Sequence, residues 1–121
     1  MSYTLRPTGR VEAERIDESW GSLRWLAGQQ TGNAQGVTLG RVIIKKGQAN
    51  PRHIHPNCEE VLYLLRGRLE HLIGGERVLQ EAGDKVVVAA GTPHVAKSIG
   101  DEDAEMLVAY SSGVRGYEPA P

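Results

Sequence analysis

The chain has 121 residues and a mass of 13.2 kDa, which sets the expectation of one domain with no separate regulatory part. Fourteen Lys and Arg against fifteen Asp and Glu leave a formal charge of −1, so no basic field is present to hold a phosphate backbone, and no nucleic-acid partner is expected. The single cysteine, Cys58, cannot form an internal disulfide, no run approaches the roughly 20 apolar residues of a membrane span, and the opening Met-Ser-Tyr-Thr-Leu-Arg lacks an apolar signal region. The expectation is a soluble, cytoplasmic protein with no membrane partner.

Residues 1–10, with Pro7 and Gly9, read as an extended arm. Residues 11–19 can hold a helical turn, which Ser-Trp-Gly-Ser at 19–22 ends. A short strand containing Trp25 is expected at 22–27, followed by a polar, glycine-rich loop at 28–36. Residues 37–46 alternate and then run apolar through Val42, Ile43 and Ile44, the pattern of a strand. The stretch 47–57 holds two prolines and two histidines and begins as a loop. Residues 60–66 form an apolar strand that Gly67 breaks, and strands at 68–73 and 76–80 flank Gly74-Gly75, a hairpin turn in which both residues can take positive φ. Further strands at 85–90, 94–99 and 105–111 are separated by the turns 91–93 and 100–103, and 113–121 reads as a mobile tail.

Short strands recurring every 8–12 residues with no helix between them define a sandwich or barrel rather than a βαβ fold. Glycine supports this, at 15 of 121 residues, about 12% against a typical ~7%. So do eleven Val and six Ile, whose branched side chains suit pleated, half-buried surfaces. Phenylalanine is absent, leaving the core to aliphatic residues.

Of the four histidines, His53 and His55 form His-x-His, which on extended backbone puts both rings on one face. Glu60 follows at the entry to the next strand and adds the charge that imidazoles lack. Glu59 competes for that place. His94 comes just after a second glycine-bounded strand. Three imidazoles and a carboxylate suit one divalent transition metal ion (Fe2+, Mn2+, Zn2+, Ni2+ or Cu2+) rather than Ca2+ or Mg2+. An octahedral ion would keep two positions open, which favours catalysis over a closed structural site.

These residues resemble the cupin superfamily. Its first motif, G-x5-H-x-H-x3,4-E-x6-G, is matched by Gly47, His53, His55, Glu60 and Gly67, and counting six back from Gly67 selects Glu60 over Glu59. Its second, G-x5-P-x-G-x2-H-x3-N, is matched by Gly83, Gly91 and His94, with Ala89 where proline and Ser98 where asparagine is expected. Eight of ten fixed positions match, and the fifteen residues 68–82 between the motifs give the short spacing of compact single-domain cupins. The departures fall on turn and strand geometry, away from the candidate ligands.

The resemblance implies an all-β fold, a single cupin jelly-roll barrel of two antiparallel sheets with little helix. It divides the chain into an N-terminal arm and edge strand (1–35), the barrel (36–112, with motif 1 at 47–67 and motif 2 at 83–98) and a flexible tail (113–121). It also implies a metal held by His53, His55, Glu60 and His94, and a small-molecule substrate or ligand. Alternation from Glu60 points Leu62, Leu64 and Arg66 into the pocket unless a bulge intervenes. His71 is either a surface strand histidine or a fourth pocket residue. Cys58 reads as a small hydrophobe, with a redox or ligand role as the alternative; Arg52, Arg66, Arg68 and Lys97 read as solvated surface charges or as contacts to an anionic substrate; and Trp20 and Trp25 read as packing or dimer contacts or as pocket lining. Members of this size usually pair, and the strand at 22–26 can extend a neighbour's sheet into a homodimer.

Three functions fit this reading. The first is a metal-dependent enzyme acting on a small organic molecule, by oxygenase chemistry ahead of lyase or isomerase chemistry. The second is a non-catalytic binding or sensor protein. The third is a metal-free, sugar-epimerase-like cupin, against which the full ligand set argues.

Overall fold

The computed structural model describes residues 2–8 and 15–121, and among these it has eleven strands and no helix. Six strands form one antiparallel sheet in the order β1 (Arg15–Glu18), β2 (Gly21–Ala27), β3 (Thr38–Ile44), β10 (Ala104–Tyr110), β5 (Glu60–Arg66) and β8 (Lys85–Val88). Five form the other: β11 (Glu118–Pro119), β4 (His53–Ile54), β9 (His94–Ser98), β6 (Arg68–Ile73) and β7 (Glu76–Glu81). The expected all-β fold of two antiparallel sheets is what the chain adopts.

Period-two alternation builds the core. Thr38, Gly40, Val42 and Ile44 of β3 face inward, as do Ala104, Met106, Val108 and Tyr110 of β10 and Glu60, Leu62 and Leu64 of β5. Across from them stand Leu69 and His71 of β6 and His94, Ala96 and Ser98 of β9. Gln80 of β7, fully buried, ties the sheets together: its amide nitrogen donates to the Leu62 and Asp84 carbonyls at 3.0 and 2.9 Å, and its oxygen receives His71 Nε2 at 2.7 Å. Motif glycines close the turns. At Gly67 φ is +87°, and an added Cβ would lie 2.7 Å from the Ala104 backbone, so no other residue fits there without strain.

Several expectations need correction. Residues 11–14 of the proposed helical turn lie outside the described residues, and 15–18 are strand β1, paired with β2. Strand β2, expected as a free edge for a second copy, is hydrogen-bonded on both sides, by β1 and β3. At the hairpin only Gly74 takes positive φ, not Gly75. Arg66 does not face inward: Glu105 pairs with Arg66 while Met106 pairs with Leu64, so Leu65 is passed over in a bulge and the alternation breaks. The Arg66 side chain is 47% exposed and bonds Glu105 Oε1 at 3.0 Å, while Arg41 holds the other oxygen. Burial opposes ionisation of Glu105, but the two guanidinium bonds outweigh it and hold its carboxyl below the usual range.

Trp25 packs against Gly40, where an added Cβ would sit 2.6 Å from the indole ring and 3.2 Å from Val108. Overpacking of this kind costs about 1–3 kcal/mol. Gly40→Ala is therefore expected to lose about that much stability in urea unfolding and to shift tryptophan emission. Gly36→Ala, where no atom lies within 4 Å of the added Cβ, is expected to stay within about 0.5 kcal/mol of the parent.

Candidate metal centre

Strand β4 and the loop after it bring His53 and His55 to the inner face, β5 opens with Glu60, and β9 opens with His94. Register fixes the assembly. His53 pairs with His94 across β4 and β9, and Glu60 pairs with Tyr110 across β5 and β10. All four side chains are buried, and their donor atoms lie within 4.8 Å of one another. Glu59 is exposed, so the structure brings Glu60 to the cluster and leaves its competitor outside.

The protonation of the rings follows from their outer nitrogens. Nδ1 of His53 faces the Pro51 carbonyl at 2.7 Å, Nδ1 of His55 the Gly116 carbonyl at 2.8 Å, and Nδ1 of His94 the Thr92 carbonyl at 2.8 Å. A carbonyl only accepts, so each Nδ1 carries a proton and each Nε2 turns inward. Nε2 of His53 and His55 stand 3.1 Å apart, Nε2 of His94 is 3.0 Å from Glu60 Oε1, and Nε2 of His55 is 3.4 Å from the same oxygen. With metal–nitrogen bonds of about 2.1 Å, donors at right angles stand about 3.0 Å apart. These three spacings fit one shared ion.

The electrostatics agree. Burial, with the neighbouring rings, lowers the His53 pKa to about 4 against the pull of the Pro51 carbonyl, so this ring is neutral at pH 7. Nε2 of His53 and Nε2 of His55, 3.1 Å apart, are placed to share one cation. Burial alone would raise Glu60, but its contacts with Nε2 of His55 and His94, through a proton that a bound ion would displace, and with the Tyr110 hydroxyl bring it down to about 2, and it is ionised. His94 is lowered by burial yet raised on balance by its bonds to Glu60 and to the Thr92 carbonyl. Neutral imidazole and ionised carboxylate are the forms that bind metal. This group is consistent with a single transition metal ion.

The cluster opens into a cavity of about 420 Å3 whose lining includes His53, Glu60 and His94. Its walls are largely apolar: Leu23, Val42, Leu62, Ala96, Met106 and Val108. Of the candidate pocket residues, Leu62 and His71 line it, Leu64 is buried in the core away from it, and Arg66 is on the outside. The surface reading of His71 fails, because Gln80 accepts from its Nε2 and holds the ring inside. Cys58 packs in the hydrophobic core as a small apolar residue. Trp20 and Trp25 both line the cavity.

Sequence reasoning missed the tail. Residues 113–121, expected to be mobile, are placed against the barrel: β11 pairs with β4, Gly116 supplies the carbonyl that orients His55, and the Tyr117 ring stacks on His53 at 4.9 Å. Arg115 lies over Trp25, Tyr110 and Tyr117. The available signal was Arg-Gly-Tyr at 115–117, an aromatic beside a glycine that lets the backbone approach; a Cβ on Gly116 would fall 2.4 Å from Asn57.

A two-sheet barrel with three histidines and a glutamate converging on its interior is the architecture of the cupins, and a family model for the cupin domain matches residues 40–110. The chain belongs to that family. It is 32% identical over 96 residues to the polyketide synthase CurC of Streptomyces cyaneus, which covers 79% of this chain and 62% of that protein. It is 37% identical over 79 residues to quercetin 2,3-dioxygenase of Bacillus subtilis (strain 168), covering 59% of this chain and 23% of that one. Among solved structures, the polyketide cyclase RemF from Streptomyces resistomycificus superimposes with a TM-score of 0.78 over 98% of this chain and 87% of its own, at 17% identity. The chain spans less than two thirds of the length of the curated relatives it matches first.

Protein purified without chelators is expected to carry about one equivalent of a divalent transition metal by elemental analysis. The double variant His53→Ala His55→Ala is expected to carry less than about a tenth of that. Ligand present at 100 times its dissociation constant stabilises by about 2.7 kcal/mol, so chelation is expected to lower the melting temperature of the parent and not of the variant. Equal metal in both proteins would contradict the site.

Proposed function

We propose that the chain is a metal-dependent enzyme that transforms a small organic molecule, with His53, His55, Glu60 and His94 as the ligands. One observation carries this reading: three imidazoles locked with Nε2 inward and one ionised carboxylate converge on the wall of an apolar cavity. Four protein ligands leave an octahedral ion with open positions, and the cavity is where a reactant can reach them. A divalent transition ion held there supplies Lewis acidity and, when redox-active, electrons for dioxygen chemistry.

The chain's own residues do the rest. The Pro51, Gly116 and Thr92 carbonyls fix the rings, so little reorganisation is needed when a reactant binds. The Tyr110 hydroxyl hydrogen-bonds the Glu60 carboxylate, and its own pKa is pushed well above the ordinary value by burial and by that negative charge. It therefore keeps its proton and donates. The Trp20, Leu23 and Met106 side chains exclude water and suit a planar, apolar reactant.

Oxygenase chemistry is our first reading, supported by the similarity to a quercetin dioxygenase. A second reading, Lewis-acid chemistry on a carbonyl without dioxygen, is supported by the same ligand set with open positions toward the cavity. Oxygen-electrode assays separate them. Protein reloaded in turn with Fe2+, Mn2+, Ni2+ and Cu2+ is expected to consume dioxygen with at least one member of a panel of small aromatic and aliphatic reactants, carboxylates among them, and Glu60→Gln to fall by about a hundredfold or more. Full turnover under argon would remove the oxygenase reading and leave the second. Binding without turnover by any loaded form would instead favour the sensor alternative.

A further inference from the structure

We propose that Arg115 is the anion anchor of the cavity, and that the substrate is a small, mostly apolar organic carboxylate. This rests on the preceding reading that the cavity is the substrate site. Arg115 lines that cavity, with its guanidinium carbon 4.5 Å from the Trp25 ring centroid, 5.2 Å from Tyr117 and 5.6 Å from Tyr110. All three rings line the same space. Contacts of this kind hold the guanidinium plane through its charge while leaving its N–H groups unspent. Among the described residues, no carboxylate forms an ion pair with Arg115. Of the two acids on the cavity wall, Glu60 is taken up by His55, His94 and Tyr110, and Glu18 is exposed at the rim with no ion pair to Arg115.

A permanent cation with five donors and no ion-pair partner, facing a cavity whose other charged groups are the rim Glu18 and the metal-cluster residues, is half of a recognition pair. A planar carboxylate matches its fork. Arg115 is also placed close to the cluster. Tyr110 bonds Glu60 through its hydroxyl and lies beside the guanidinium with its ring, and Tyr117 sits between the guanidinium and His53. One aromatic ring thus separates Arg115 from each side of the cluster. A molecule whose carboxylate meets Arg115 lays its apolar body along Trp25, Leu23 and Val108 and presents its other end to the four ligands. The tail is then part of the site, carrying the anchor (Arg115), an aromatic wall (Tyr117) and the Gly116 carbonyl.

The test uses benzoate and its neutral counterpart benzamide, titrated against tryptophan emission and by calorimetry, since Trp20 and Trp25 line the cavity. Wild-type protein is expected to bind benzoate at least about tenfold more tightly than benzamide. Arg115→Met is expected to erase that difference and leave benzamide unchanged. Arg115→Lys, which keeps the charge but loses the planar fork, is expected to weaken benzoate several-fold only. If Arg115→Met does not fold, Arg115→Lys still decides, because a merely structural arginine would weaken both probes equally. A benzoate preference that survives in Arg115→Met, an equal affinity for the two probes, or binding of neither overturns the proposal. Repeating the titration after chelation keeps the two readings apart. A preference intact in protein shown to hold no metal and no activity defeats the preceding reading alone. Metal-dependent turnover with no preference defeats this one alone.

Discussion

Three hydrogen bonds from imidazole Nδ1 to backbone carbonyls are the constraint on which the rest depends. Each removes a tautomer. With Nδ1 protonated toward Pro51, Gly116 and Thr92, the three Nε2 lone pairs have nowhere to point but inward. Two of these carbonyls come from within two residues of the ring they hold, so β4 and the turn before β9 carry their own orientation with them. The third comes from the far end of the chain, 61 residues away in sequence. Assembly of the cluster is therefore coupled to docking of the tail, and a site of local origin becomes dependent on the whole fold.

The barrel supplies what these bonds cannot. Neutral histidines and an ionised glutamate at one point need a dry, rigid frame, and the inward faces of β3, β5 and β10 provide it in Val42, Leu62, Met106 and Val108. Gln80, buried in that frame, is fully matched, while His71 Nδ1 has no hydrogen-bond partner among the described residues. Gln80 spends both amide hydrogens on carbonyls of β5 and the following turn and its oxygen on His71. The Arg41–Glu105–Arg66 contact sits on the outside, at the bulge, and pins the end of β5 away from the cavity.

Much of this was legible in the sequence because it is imposed locally. Strands β5 and β6 occupy 60–66 and 68–73 as expected, since alternation and the glycines at 67 and 74 mark their ends. The four candidate ligands were legible because residue type and spacing together are rare. What escaped was long-range. Arg-Ile-Asp-Glu at 15–18 is exposed throughout and has no alternation to announce β1. Arg66 was misplaced because the bulge is set by its pairing with β10, not by its own strand. His71 is held inside by Gln80, nine positions on. The tail has no hydrophobic period at all, and its role comes from a backbone carbonyl and a cation over three rings.

The most direct test of the account is a crystal structure of the chelator-free protein with anomalous data collected at the absorption edges of iron, manganese, nickel, copper and zinc. The account predicts one anomalous peak bonded at about 2.1 Å to Nε2 of His53, His55 and His94 and to Glu60, with at least one position open toward the cavity. A protein soaked in these metals that shows no peak there, or a peak bound elsewhere while the four side chains stay clustered, would contradict it.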